Sequence, residues 1–206
     1  MAKLRERMER AGLFELPQFA AAAFCLACAE RTHPVITQLA SKKTRDVFGE
    51  ALQAGWGALQ DGGEPRRIEP FLAALKGSRD VTGDSARRTF FIKGPLAILH
   101  HGLRAMVFET PTKETEAAWG LSVHLARDFD YLLRKYCPEP SAYPLEELSL
   151  EDIENDGIEE SLRILAACGS DWVNAGEQVR TDARARARHL QTAVSLIDEA
   201  GGFGSK

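Results

Sequence analysis

The chain has 206 residues, of which 44% are apolar and 27% are charged, and its formal net charge is −4. This balance excludes an intrinsically disordered chain, and the length allows one domain with a sizeable core. The net acidity gives no overall attraction to nucleic-acid phosphates or anionic lipids, so either role would need a local basic patch.

The N-terminal third predicts a central buried helix. Residues 1–10 lack the apolar stretch of a secretory signal, which favours a cytoplasmic protein. The apolar run 19–29 is shorter than the roughly 20 residues that a bilayer requires, so we predict a buried helix and no membrane association. His33-Pro34 is expected to end or kink that helix, because the residue before proline avoids helical geometry. We expect free thiols at Cys25, Cys28, Cys137 and Cys168.

Helical periodicity continues through the rest of the chain. Residues 45–61 carry apolar side chains at a spacing of about 3.6 residues. Three glycines in that segment are expected to let a neighbouring helix approach closely: Gly49, Gly55 and Gly57.

The second half of the chain predicts further helices separated by clear breaks. We expect helices near 69–76, from Gly94-Pro95 to 110 and from 112 to 136. Two further apolar stripes begin at Ile158 and Val179 and predict the last two helical segments, which could join into one kinked helix. Segments 77–88 and 137–149 are expected to be connections. The fold class is therefore all-α: one multi-helix bundle of about seven to nine helices over residues 1–206, with a flexible tail from about residue 200.

Two short motifs have the spacing of metal or redox ligands. Cys25 and Cys28 form a Cys-x-x-Cys pair, but they sit in an apolar run without a second ligand pair, so we interpret them as buried thiols. Glu30 and His33 form one Glu-x-x-His motif, whereas a carboxylate-bridged di-iron site needs two. We therefore predict no cofactor, with Glu30 and His33 as ligands in the alternative.

Two consecutive histidines mark another candidate site. His100 falls between Leu96 and Leu103 on the apolar face of a predicted helix, and His101 falls at the border of that face. Hydrogen-bonded core histidines explain this pattern, and so does a ligand pocket or a general base.

Acidic residues are concentrated in one segment that contains no basic residue. We interpret it either as a solvated face or as a surface that docks a basic protein. The nine residues are Glu139, Glu146, Glu147, Glu151, Asp152, Glu154, Asp156, Glu159 and Glu160.

Arginines follow on the last predicted helix at four-residue spacing. Arg180, Arg184 and Arg188 would lie on one stripe, with Arg186 beside it. A nucleic-acid contact through this stripe is disfavoured by the acidic neighbourhood and by the lack of interleaved aromatic residues.

A family resemblance is carried by segment 24–34 (FCLACAERTHP) and by a helix that ends in segment 55–59 (GWGAL). Both resemble the opening of the bacterial YjaG-like family, domain of unknown function 416. Members show Cys-Glu-Arg and then an aromatic residue and Pro. Here one extra residue separates Cys28 from Glu30, and His33 replaces the aromatic residue.

The last third adds to this resemblance, since segment 162–168 and the arginine-bearing final helix are similar to the C-terminal part of that family. The resemblance implies an all-α bacterial protein of this length with no established activity. It also implies that Glu30 and Arg31 are a structural signature, an ion pair that closes the central helix against a neighbour.

These observations favour a non-catalytic helical protein that binds a protein partner through its acidic segment. An immunity or antitoxin protein that neutralises a basic bacterial toxin is the most concrete version. The alternatives are an enzyme or small-ligand binder with a pocket near His100 and His101, and a nucleic-acid accessory protein. The sequence leaves a homodimer open.

Overall fold

The structure, a computed structural model, describes residues 6, 8–10, 12–61, 68–78, 86–108, 111–138 and 149–204. These residues form helices and no strand, which confirms the predicted all-α bundle. A 3-10 turn at Leu13–Glu15 precedes seven α-helices: α1 Gln18–Leu39, α2 Lys42–Gln60, α3 Glu69–Ser78, α4 Ala86–Ala105, α5 Thr112–Tyr136, α6 Leu150–Ala167 and α7 Trp172–Glu199.

Helix α1 is the centre of the bundle. Its residues from Ala20 to Thr32 are all buried, and it contacts α2, α4, α5, α6 and α7. Of the two predicted effects of His33-Pro34, an end of the helix is wrong, because the helix continues to Leu39 with Pro34 inside it. Proline removes one backbone hydrogen bond, and the buried Val35, Ile36 and Leu39 extend the packing beyond it.

Close approach between helices depends on one of the three glycines of α2. A Cβ built at Gly55 would lie 2.9 Å from Leu26 Cδ2 on α1 and 2.9 Å from Leu103 Cδ2 on α4. The prediction of close approach holds there. It is wrong for Gly49 and Gly57, where a Cβ would meet nothing within 4 Å.

Helix α4 begins earlier than Gly94-Pro95, the start that the sequence predicts. It begins at Ala86 and includes Pro95 in its interior. Phe91 and Ile92 are buried in the turns before the proline, and Phe91 packs 4.9 Å from Phe129 of α5 between ring centroids. This apolar packing stabilises the additional helical turns.

Two devices fix the start of α6. Ser149 and Asp152 form a capping box, in which each side chain bonds the backbone N–H of the other residue. Asp130 of α5 accepts hydrogen bonds from the N–H groups of Leu150 at 2.8 Å and Glu151 at 3.0 Å. The carboxylate therefore satisfies two N–H groups that the first helical turn leaves without a partner.

Helices α6 and α7 are two separate elements that pack on each other, so they do not join into one kinked helix. Only residues 168–171 separate them, and Gly169 adopts a positive φ of 58°. Such a short connection makes the pair a helical hairpin.

Gly202 and Phe203 are buried, so the predicted flexible tail from about residue 200 is wrong for these two residues. Gly201 has a φ of 75°, and Gly202 N–H bonds the Ile197 carbonyl oxygen at 2.7 Å. With the Gly201 N–H bond to Asp198, this is a Schellman cap. Phe203 then lies fully buried, with its ring centroid 5.6 Å from that of Phe91.

The buried apolar side chains form one hydrophobic cluster that extends from Met8 to Phe203. None of the helices in the described ranges is both long enough and apolar enough to cross a lipid bilayer. Several predictions fall outside these ranges: most of the 77–88 and 137–149 connections, and the carboxylates of Glu139, Glu146 and Glu147.

Candidate functional site

Glu30 on α1 is the centre of a buried polar cluster. Its Oε2 accepts a hydrogen bond from Trp56 Nε1 at 2.8 Å, and its Oε1 accepts one from Arg184 Nε at 2.7 Å. Arg180 Nε lies 3.7 Å from Oε2. Two arginines of α7 and one indole of α2 therefore surround this carboxylate.

Arg31, the next residue, pairs with a different helix. Its Nε donates to both oxygens of Glu154 on α6, and its Nη1 donates to Ser161 Oγ at 3.2 Å. Burial alone would lower the pKa of Arg31, but the Glu154 carboxylate raises it above its usual value. Gly157 leaves room for two arginine side chains, because a Cβ there would lie 2.8 Å from Arg186 Cδ and 3.2 Å from Arg31 Cδ.

The sequence motif Glu30-Arg31 is therefore not an internal ion pair. Each residue joins the central helix to another neighbour, Glu30 to α2 and α7 and Arg31 to α6. The predicted role in closing α1 against one neighbour is thus divided among three neighbouring helices.

The Glu-x-x-His motif does not assemble as a metal site. The two oxygens of Glu30 accept the hydrogen bonds described above, while the ring of His33 stacks on Phe48, with centroids 5.3 Å apart. Burial lowers the pKa of His33, and Glu30 partly opposes that shift. Within the described residues, no group of three or more His, Cys, Asp or Glu side chains converges as metal ligands would.

The paired histidines are half-buried on α4. His101 Nδ1 lies 2.5 Å from Glu114 Oε2 at the start of α5, and Arg104 Nε donates to Glu114 Oε1 at 3.0 Å. The His100 and His101 rings meet edge to face with centroids 6.1 Å apart. The Glu114 carboxylate therefore orients the His101 imidazole, and it also joins the end of α4 to the start of α5.

Cys25 and Cys28 are fully buried free thiols. Burial raises the pKa of both, that of Cys28 to about 12, so they stay protonated at neutral pH. Arg31 Nη2 donates to Cys28 Sγ at 3.3 Å. A buried, protonated thiol is a poor nucleophile, which agrees with a packing role.

The acidic residues of α6 divide between the core and the surface. The predicted partner-binding surface contains six of the nine acidic residues, those that lie on α6: Glu151, Asp152, Glu154, Asp156, Glu159 and Glu160. The prediction is wrong for Glu154, which is only 7% exposed. Glu151 and Glu160 are half-buried and bonded to Arg127 and Arg163. The exposed acidic residues of this helix are Asp152, Asp156 and Glu159, which we call the acidic stripe.

The predicted arginine stripe of α7 is likewise divided. Arg180 is buried, donates to Gln53 Oε1 at 2.7 Å and lies over the Trp56 ring. Burial lowers its pKa, which Glu30 partly offsets. A stripe of three solvated arginines is therefore wrong for Arg180, whereas Arg184 and Arg188 are exposed and Arg184 also bonds Glu30.

A recess of about 340 Å³, open mouth included, lies where α1, α5, α6 and α7 meet. Its arginines already have partners: Arg31 bonds Glu154 of the lining, and Arg186 bonds Asp182 outside it. Neither His100 nor His101 is among the residues that surround it. Its lining consists of Arg31, Thr32, Ser122, Leu125, Ala126, Leu150, Ile153, Glu154, Arg186, His189 and Leu190.

Sequence reasoning missed the inward orientation of Glu154 and Arg180, although periodicity carries a signal for both. Glu154 precedes the buried Ile158 by four residues, and Arg180 precedes the buried Ala183 by three. Both spacings place a residue on the buried face of its helix. The partner carboxylate or arginine lies more than 100 residues away and leaves no local signal.

Comparison with known proteins adds no relative: a scan of protein-family models, a search of curated proteins and a search of solved structures found no match. The resemblance to domain of unknown function 416 therefore rests on the residue strings alone.

Proposed function

We propose that this chain is a non-catalytic helical protein that binds a basic protein partner through the acidic stripe of α6. The observation that carries the proposal is the alignment of Asp152, Asp156 and Glu159 along one exposed face. Spacings of four and seven residues bring side chains onto the same side of a helix. The stripe thus presents negative charge over about two helical turns.

The other carboxylates of α6 differ from the acidic stripe because they pair with arginines of this chain. Glu154, on the opposite side of α6, is neutralised by Arg31 in the core. Glu151 and Glu160 have arginine partners at the flanks of the stripe. Asp156 has no ion pair within the described residues, which favours recognition of an outside cation.

The chemistry of the stripe selects a partner with a basic face. Complementary potentials speed association and fix the orientation of two proteins. A bacterial toxin with a cationic active cleft is the most concrete partner, and covering that cleft would neutralise it. We also propose a cytoplasmic location and membership of the YjaG-like family, the latter on segments 24–34 and 55–59.

The experiment compares two pairs of charge removals. Asp156→Asn with Glu159→Gln neutralises the stripe without touching Asp152, which caps α6. Asp46→Asn with Glu50→Gln removes the same charge from an exposed face of α2. Each protein is titrated with the purified products of the adjacent genes, and association rates are measured at two salt concentrations.

We expect a complex with a basic neighbour, and an association rate about tenfold lower for the α6 variant at low salt. The α2 variant should bind like the parent. The proposal is refuted if none of the adjacent products forms a complex, or if both variants bind alike.

A further inference from the structure

His101, near the end of α4, has one bonded and one open ring nitrogen. Its Nδ1 lies 2.5 Å from Glu114 Oε2. The side chain is 26% exposed, and Nε2 reaches solvent without a hydrogen-bond partner in the described part of the chain. Because the carboxylate accepts the hydrogen bond from Nδ1, the neutral ring carries its lone pair on Nε2. This pair of side chains therefore presents a nucleophilic nitrogen at the surface.

Arg104 adds a cation to the same end of the helix. It lies one turn after His101, and its Nε donates to the other oxygen of Glu114 at 3.0 Å. Its two Nη groups donate to none of the residues that the structure describes and are open to solvent. Guanidinium N–H groups match the geometry of phosphate oxygens. A phosphate group that approaches His101 would therefore meet a donor that Glu114 already holds in place.

The surface beside these residues is apolar. Phe108 follows Arg104 by four residues, and its ring centroid lies 4.6 Å from the guanidinium carbon of Arg104. Phe108 and its neighbour Val107 are both exposed. Exposed apolar side chains next to a polar group are typical of surfaces that contact another molecule. These features favour a reaction of His101 with a donor that arrives from outside.

We propose that His101 accepts a phosphoryl group on Nε2. The lone pair of Nε2 attacks the phosphorus of an acyl phosphate or a phosphoramidate, and the bond between phosphorus and the leaving group breaks. The electron pair of that bond departs with the carboxylate or with ammonia. Glu114 stabilises the positive charge that forms on the ring, and Arg104 binds the phosphoryl oxygens. This site is separate from the acidic stripe of α6, so each proposal can fail without the other.

Phosphoramidate and acetyl phosphate supply the two kinds of donor. The parent protein is treated with each, and phosphorylation of its five histidines is followed by phosphorus NMR and by peptide mass spectrometry at neutral pH. His124 is the internal control, because it is more exposed than His101 but its Nδ1 lies 2.6 Å from the neutral Gly120 carbonyl oxygen. His101 is expected to react about tenfold faster than His124, although exposure alone favours the opposite order. The donor that reacts faster shows whether the phosphoryl group arrives on a carboxylate or on nitrogen.

Variants separate this chemistry from exposure of the ring. Glu114→Gln should slow the reaction of His101 about tenfold, and Arg104→Gln should slow it about threefold. Arg163→Gln removes an exposed arginine from α6 and is the matched control, which should react like the parent. Urea denaturation shows whether each variant is folded. The proposal is overturned if neither donor modifies His101, if His124 reacts as fast, or if Arg104→Gln reacts like Arg163→Gln.

Discussion

Arg31 Nε donates to both carboxylate oxygens of Glu154 at 3.0 Å, and this contact joins α1 to α6. Arg31 is 2% exposed and Glu154 is 7% exposed. Each charge is tolerated in the core because the other charge compensates it. The interaction is therefore a condition for packing these two helices rather than an independent source of stability.

Removing one member of this pair should destabilise the protein more than removing both. Arg31→Met or Glu154→Gln leaves an uncompensated buried group and should lower the free energy of unfolding by about 3–5 kcal/mol. The double variant Arg31→Met with Glu154→Leu should recover most of that loss. Urea denaturation measures all three, with Glu160→Gln at the exposed Arg163 pair as a control that changes little. Equal stability of the single variants and the parent would contradict the prediction.

Two glycines of α2 should respond oppositely to the same substitution. Gly55→Ala should destabilise, because its Cβ meets two fully buried leucines at 2.9 Å and overpacking costs about 1–3 kcal/mol. Gly57→Ala should stabilise by up to about 1 kcal/mol, since its Cβ points into open space. Thermal denaturation of both variants provides the comparison. A change of the same sign at both positions would show that the packing around Gly55 is looser than described.

His33 should make the protein sensitive to mild acid. Burial lowers its pKa below the usual 6.5, so the unfolded chain binds a proton at a higher pH than the folded protein does. The contribution of neutral His33 to the free energy of unfolding is therefore fully present above about pH 6.5. It falls as the pH drops below that value, by at most about 1.4 kcal/mol per pH unit. His33→Phe should remove this component and preserve stacking on Phe48. Free energies of unfolding at about pH 7.5 and pH 5 test this, and parallel pH profiles of variant and parent would argue against it.

Phe203 should contribute to stability although only three residues follow it in the sequence. Its ring is fully buried against Phe91 and Phe129. Phe203→Ala should cost about 3–5 kcal/mol, the range for buried aromatic side chains. Phe90→Ala, at an exposed ring, is the matched control and should have a much smaller effect. If urea denaturation shows that both variants lose the same free energy of unfolding, Phe203 is not packed in the core as described.

The class of fold could be predicted because apolar residues repeat at helical spacing. Apolar residues at this spacing predict the helix from 112 to 136, which is α5, and Ala118, Leu125, Phe129 and Leu132 are among its buried residues. Prolines were less informative. Pro34 and Pro95 indicate helix boundaries, yet both lie inside helices because neighbouring apolar residues pack on either side of them.

The candidate site could be predicted only in part. Residue types identified Glu30, Arg31 and Glu154 as notable, but which charge faces the core depends on partners from distant helices. Acidic residues occupy both the buried and the exposed face of α6, so residue type alone does not distinguish Glu154 from its exposed neighbours.

Glu30 and Arg31 bond different helices, and together they fix the rotation of α1 about its own axis. Consecutive helical residues project about 100° apart, so these two side chains reach different helices. A segment that is apolar around its whole circumference has little preference among rotations about its axis. A rotation of α1 about its axis by the angle between consecutive residues would move both charged side chains away from their partners. The two charges would then be buried without partners among apolar side chains. The azimuth of the central helix is thus specified by two adjacent charged residues, while the surrounding apolar contacts supply the cohesion.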